Sequence, residues 1–140
     1  MRCLLPIATV LLAVISLPAS SATAKPEARV VVLRCEAGDC PLLTGVPQTA
    51  GMCSGYVRLR PGEAVRWHTT GKNEESLVIL SGRGEARLEG QPARPFSAPA
   101  LVYIPPAQRH NVANTGQEIL EYVYVVAPAT TASSAVGRQN

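Results

Sequence analysis

The chain holds only two histidines, His68 and His110. His68 opens the stretch W-H-T-T-G-K-N-E-E-S-L-V-I-L-S-G, and His110 lies near the end of I-P-P-A-Q-R-H-N-V-A-N. Two carboxylates, Glu74 and Glu75, follow the first histidine at short range. Two imidazoles and one carboxylate brought together on a small β-barrel make a site for a divalent transition metal. That donor set suits Fe, Mn, Ni, Cu and Zn alike, so the residues do not name the ion. Other chemistries fit less well. With both histidines claimed, no Ser/His/acid nucleophile set is left. Gly82-x-Gly84 reads as a hairpin turn rather than a phosphate loop, because no helical pattern follows it.

The elements that must position these residues read as short strands. Residues 28–34 are a β-branched run and predict a first strand. Residues 36–55 are rich in Gly, Pro and Thr and predict a long loop. Strand signals then recur at 56–60, 64–68, 75–80, 85–88, 101–104, 111–113 and 119–126. Turn residues separate them: Pro61-Gly62, a polar loop at 69–74, Gly82-Arg83-Gly84, Gly90, Pro105-Pro106 and Asn114-Thr115-Gly116. No helical periodicity competes, so the expected fold is an all-β barrel or sandwich.

Two gapped patterns then stand out. Gly62 is followed by five residues, His68-Thr69-Thr70, four residues, Glu75, six residues and Gly82. Further on comes Pro105-Pro106-Ala107-Gln108-Arg109-His110-Asn111-Val112-Ala113-Asn114. These resemble the two motifs of the cupin family over about residues 56–126. The resemblance implies a single double-stranded β-helix (jelly-roll) barrel. It also implies a metal held by His68, Glu75 and His110, with residue 70 as the fourth ligand position. Two departures from the family pattern matter. Ala107 stands where the second motif has glycine. Thr70 stands where the first motif has its second histidine, and a hydroxyl is a poor ligand, so water or substrate could take that corner. Three ligands still suffice, as facial triads show; the other reading is a barrel kept without its metal. The function the family resemblance implies is small-molecule chemistry of the dioxygenase, isomerase or lyase kinds. A non-catalytic small-ligand-binding module is the alternative.

Strand alternation extends the site. Spacing to Gly82 favours Glu75 over Glu74 as the inward carboxylate. Glu75 inward brings Leu77 and Ile79 inward as an apolar pocket floor. His68 inward brings Arg66 inward, where a guanidinium suits a substrate carboxylate or phosphate; a solvated Arg66, or one paired with Glu74, is the competing reading. The expected substrate-binding set is therefore Arg66, Thr70, Leu77 and Ile79. Trp67 then faces outward beside Val65 as a surface for a second barrel, since this family often pairs barrels. Arg58 and Arg60 share a face with Tyr56 and read as solvated. Tyr122 and Tyr124 share a face that the sequence does not assign. Asn114 is expected to serve the turn after it rather than the metal.

The ends and the cysteines bound the rest. Arg2, an apolar run to Leu17, Pro18 and Ala22-Thr23-Ala24 read as a secretory signal over residues 1–24, too short to span a bilayer comfortably. This predicts a secreted or periplasmic protein, with no membrane attachment once the signal is cleaved. Residues 25–55 form the N-terminal strand and cysteine loop, 56–126 the barrel, and 127–140 a disordered tail. After cleavage Cys35, Cys40 and Cys53 remain. In an oxidising compartment Cys35 and Cys40, around the turn-forming E-A-G-D, are the simplest disulfide, leaving Cys53 free. The competing zinc reading lacks any nearby histidine. A formal charge of only +3 implies no nucleic-acid partner.

Overall fold

In a computed structural model the structure describes residues 25–129; the expected signal segment and the tail beyond residue 129 lie outside them. Eight strands make up the fold: β1 (Gly38–Thr44), β2 (Cys53–Leu59), β3 (Asn73–Ser81), β4 (Arg83–Leu88), β5 (Arg94–Ser97), β6 (Ala100–Ile104), β7 (His110–Asn114) and β8 (Leu120–Pro128). They form two antiparallel sheets, a five-stranded one in the order β1-β2-β8-β3-β6 and a three-stranded one in the order β5-β4-β7. The described residues contain no helix. The fold is the expected all-β jelly roll, in which two sheets bury their inner faces against each other.

Alternation decides what goes inside. Across the large sheet Val57 pairs with Tyr122, which pairs with Ile79, and Leu59 pairs with Leu120. These side chains, with Leu77, Ile104 and Val112, form the buried core. The opposite face of the same strands carries Arg58, whose guanidinium binds Glu121 at 2.7 Å and donates to the Cys35 and Glu36 carbonyls. Arg58 is thus not the solvated residue that alternation alone suggested. It ties the incoming N-terminal segment to the sheet. Burial raises the Glu121 carboxyl, but hydrogen bonds from Tyr56, Arg58 and Ser81, with the Arg58 charge, outweigh it and hold the group below its usual range.

Several local expectations fail for physical reasons. Residues 28–34 form no strand and lie exposed, because no neighbouring strand offers them hydrogen bonds. The first strand instead occupies part of the expected loop, where residues 38–44 pair with β2; Pro41, which cannot donate, sits on this edge strand at a register shift. β5 was not expected, since Pro95 interrupts its signal, but it too is an edge strand. Gly82 is not a hairpin turn: β3 and β4 lie in different sheets, so Gly82 turns a corner between them. Its φ is +80°, and a Cβ there would meet the Ile119 carbonyl oxygen at 2.7 Å, so glycine is required. β8 runs on through Pro128, past the expected start of the tail, because Asn73 and Glu74 pair with its last residues.

Candidate metal centre

The segment carrying His68 read as a regular strand but is not one. It lies along β7 through the hydrogen bonds Val65 N to Val112 O (3.0 Å), His68 N to His110 O (2.9 Å) and His110 N to His68 O (2.8 Å). Between these contacts Arg66 and Trp67 stand opposite Asn111 alone, the two-against-one count of a β-bulge. The bulge resets the alternation. Val65 and His68, three positions apart, both meet inward-facing residues of β7. As a result Val65 and Arg66 line the cavity together, and Val65 does not join Trp67 in an outward patch. Trp67 does face out, with the Arg109 guanidinium 5.4 Å from its ring centroid.

His68, Glu75 and His110 converge. Their ligand atoms all lie within 4.8 Å of one another, and the two rings sit 4.3 Å apart at a 58° tilt. Glu75 and His110 are buried and His68 is on the open side. In both histidines Nδ1 is 2.9 Å from the carbonyl oxygen two residues back, Arg66 in one case and Gln108 in the other. A carbonyl can only accept, so Nδ1 carries the proton in each and Nε2 is left as a lone pair turned into the barrel. His110 Nε2 faces Glu75 Oε2 at 3.0 Å. Neither atom has another partner, and with Nδ1 protonated two lone pairs would oppose each other in a buried space. Only a cation can reconcile them, a proton or a metal. A 3.0 Å separation is also that of two neighbouring donors about 2.1 Å from a shared ion. The three residues therefore fit a divalent metal. When a proton fills the role, burial lowers the His110 pKa but Glu75 and the Gln108 carbonyl outweigh it, and the imidazole lies above its ordinary 6.5.

Glu75 and Glu74 part as the spacing to Gly82 suggested. Glu74 is on the other face and accepts from the Tyr103 hydroxyl at 3.2 Å. Thr70 lines the cavity, but its hydroxyl donates to the Asn73 carbonyl at 2.9 Å and is engaged there rather than with the triad. The two motifs are held together by Ala107, whose N–H donates to the Gly71 carbonyl at 2.7 Å. Asn114 serves the turn after β7, as expected, through hydrogen bonds to Leu59, Gly116 and Glu118.

The triad opens onto a cavity of about 660 Å³. Arg66 lines it and makes no ion pair among the described residues. Leu77 and Ile79 point inward but belong to the closed core. The apolar wall is formed instead by residues such as Val57, Leu59 and Val112. The two tyrosines the sequence left unassigned both line the cavity. Burial raises the Tyr122 phenol, and burial with the Asp39 carboxylate pushes Tyr124 up to about 12, so both remain neutral donors. Asp39 escaped the sequence reading because it sits in the cysteine segment read as a loop; its register partner Val57, an inward residue, places it on the inner face. The Cys35–Cys40 disulfide closes the segment bearing Asp39, and Cys53 is free.

An eight-stranded jelly roll with two histidines and a glutamate converging on its cavity defines a class of metal-capable β-barrels. The family model of the cupin domain (Cupin_2) matches residues 55–126, and the chain belongs to the cupin family. Among curated relatives, the polyketide synthase CurC of Streptomyces cyaneus is 34% identical over 85 residues, 59% of this chain and 54% of that protein. The chain thus spans about half the length of the curated relative it matches. Among solved structures, an RmlC-like cupin with a double-stranded β-helix fold from Methanocaldococcus jannaschii aligns with a TM-score of 0.62 at 23% identity, covering 72% of this chain and 91% of that one. A Cupin 2 conserved barrel protein from Salinispora arenicola aligns with a TM-score of 0.57 at 25% identity, covering 76% and 92%.

Proposed function

We propose that this is an exported cupin that holds a divalent transition metal on His68, Glu75 and His110 and acts on a small organic molecule bound in the cavity. The observation that carries the reading is the buried face-off of His110 Nε2 and Glu75 Oε2, with both histidines prearranged through Nδ1 to present lone pairs to one point. Such an ion, when bound, supplies Lewis-acid polarisation of a substrate oxygen. The protein's own groups do the rest. The aliphatic wall excludes water, Arg66 pairs with an anionic group on the substrate, and Tyr122 and Tyr124 donate hydrogen bonds to its oxygens. The name of the polyketide synthase relative agrees with an organic substrate.

A specific observation favours a second reading, a non-catalytic ligand-binding module. Thr70 is turned to the Asn73 carbonyl, and apart from the triad only Asp39 among the cavity-lining residues could act as a base. Metal analysis of protein purified without chelators, followed by native mass spectrometry with a metabolite screen, separates the two. Stoichiometric metal supports the enzyme; a metal-free protein that retains a small molecule supports the module. Export is tested separately: the secreted protein should begin Lys25-Pro26-Glu27, and a mature soluble chain that keeps Met1 contradicts it.

A further inference from the structure

Several features of the chain converge on one carboxylate at the cavity wall. Asp39 adjoins Cys40, so the Cys35–Cys40 disulfide closes the short ring that carries it. Arg58 anchors the same ring, donating to the Cys35 and Glu36 carbonyls at 3.1 and 3.2 Å while Glu121 meets its charge. Tyr124 reaches Asp39 from the other side. Its register partner on β2 is the buried Gly55, where a Cβ would overlap the phenol ring and its oxygen. Glycine at 55 therefore lets the ring lie across β2 toward β1. There burial, then the charge and hydrogen bond of Asp39, raise the phenol. The phenol stays neutral and donates, and Asp39 keeps acceptor capacity for a further partner. Asp39 makes no ion pair among the described residues. It also lies before residues 55–126, so the shared cupin domain does not account for it.

The cavity's other unpaired charge stands across from it. β1 is an edge of the large sheet. Residues 63–68, which carry Arg66, lie along β7, the last strand on that side of the small sheet. Both edges border one cavity, so Asp39 and Arg66 approach it from different sheets. Both are exposed, and they make no ion pair with each other. Apolar wall lies between them: Val57 is the register partner of Asp39, Val65 precedes Arg66, and both line the cavity. Opposite charges held apart over an apolar surface match a molecule with opposite charges at its two ends.

We propose that Asp39 is a specificity residue of the cavity, receiving the ammonium group of a small zwitterionic molecule whose anionic end pairs with Arg66. This rests on the reading of the cavity as a small-molecule site and names the class of molecule. A ligand with a single charge leaves one of the two residues unmet, and that difference is the basis of selection. The disulfide and Tyr124 are positioning groups: they fix the carboxylate before the ligand arrives and so reduce the ordering cost of binding.

The test is calorimetric titration, at low ionic strength, of the purified, disulfide-bonded chain with ω-amino acids from aminobutanoate to aminooctanoate. The plain acid and plain amine of each length are titrated beside them. Each end should contribute up to about fivefold, the size of a contact between charges that solvent reaches. At the best length the amino acid should therefore bind about fivefold tighter than the acid, and about fivefold tighter than the amine. Asp39→Asn should erase the margin over the acid, and Arg66→Gln the margin over the amine, each leaving the other margin in place. Replacing both Cys35 and Cys40 with serine should shrink the margin over the acid while binding of the acid itself persists, a change in selectivity that lost stability alone does not produce. Amino acids that bind no better than acids at every length, or that do not bind, overturn the proposal. So does a margin that survives Asp39→Asn. Cobalt(II) titration of the same wild-type sample reports on the triad independently, so failure of this recognition and failure of the metal reading are told apart.

Discussion

Replacing Asn114 with alanine should destabilise the fold strongly and leave the metal centre as it is. The side chain is 2% exposed. Its Nδ2 donates to the Leu59 carbonyl at 2.9 Å and the Glu118 carbonyl at 2.7 Å, and its Oδ1 accepts from Gly116 N at 2.8 Å. These bonds join the end of β7 to the end of β2 and shape the turn into β8. A hydrogen bond lost to groups that water can reach costs about 0.5 kcal/mol, and one whose partner stays buried and unsatisfied about 2 kcal/mol. Glu118 and Gly116 belong to the surface turn, whereas Leu59 is buried. Two small losses and one large one come to about 3 kcal/mol. For a domain of this size each kcal/mol lowers Tm by about 4 °C, so the variant should melt roughly 12 °C lower. Calorimetry gives the loss, and titration of the folded variant gives metal affinity, expected within about threefold of wild type on the ground that sites sharing no partners act independently. A Tm within about 3 °C of wild type, below even one kcal/mol, would refute the hydrogen-bond account. A stable variant that no longer binds metal would show that Asn114 belongs to the centre.

Three further outcomes are expected. Because Glu75 holds the folded His110 pKa above 6.5, this pair's contribution to the metal-free protein is full below pH 6.5 and is lost as pH rises through the folded value; metal binding displaces that proton, so affinity should run the other way and rise with pH, as melting and titration over a pH series would show. Ala107 sits at φ +61°, a left-handed conformation costing about 1 kcal/mol or more for a residue with a Cβ. Ala107→Gly, less its chain-entropy penalty of about 0.5 kcal/mol, should raise stability slightly, whereas Ala107→Val should lower it, both read by denaturant unfolding. Removing the Cys35–Cys40 link with paired serines should cost about 2 kcal/mol in the chain-entropy model, and thiol labelling of the unreduced protein should modify Cys53 and neither of the others.

The sequence carried the barrel and its triad because both depend on local spacing. Strand period and turn residues placed most strands of the barrel within a few residues, and the interval from Glu75 to Gly82 separated the inward carboxylate from Glu74. What escaped it depended on pairing. The bulge at Arg66 and Trp67 exists only because the backbone of 63–68 is pinned to β7 at both ends, and no residue there announces it. The same is true of Asp39, which faces the cavity only because β1 pairs with β2. The β-branched run at 28–34 misled for the opposite reason: it has strand propensity, but nothing in its own chain completes the strand. Thr70, legible as a departure from the motif, keeps its place in the wall while its hydroxyl is taken by the Asn73 carbonyl.

The central claim is that His68, Glu75 and His110 hold one metal. Calorimetric titration of the metal-free chain with cobalt(II), at one fixed pH, for wild type, His68→Ala, His110→Ala and Thr70→His tests it most directly. The account predicts one ion per wild-type chain, loss of stoichiometric binding in either alanine variant, and tighter binding when an imidazole replaces the committed Thr70 hydroxyl. Equal binding by all four would place any metal elsewhere, and binding by Thr70→His alone would make the natural protein a metal-free barrel.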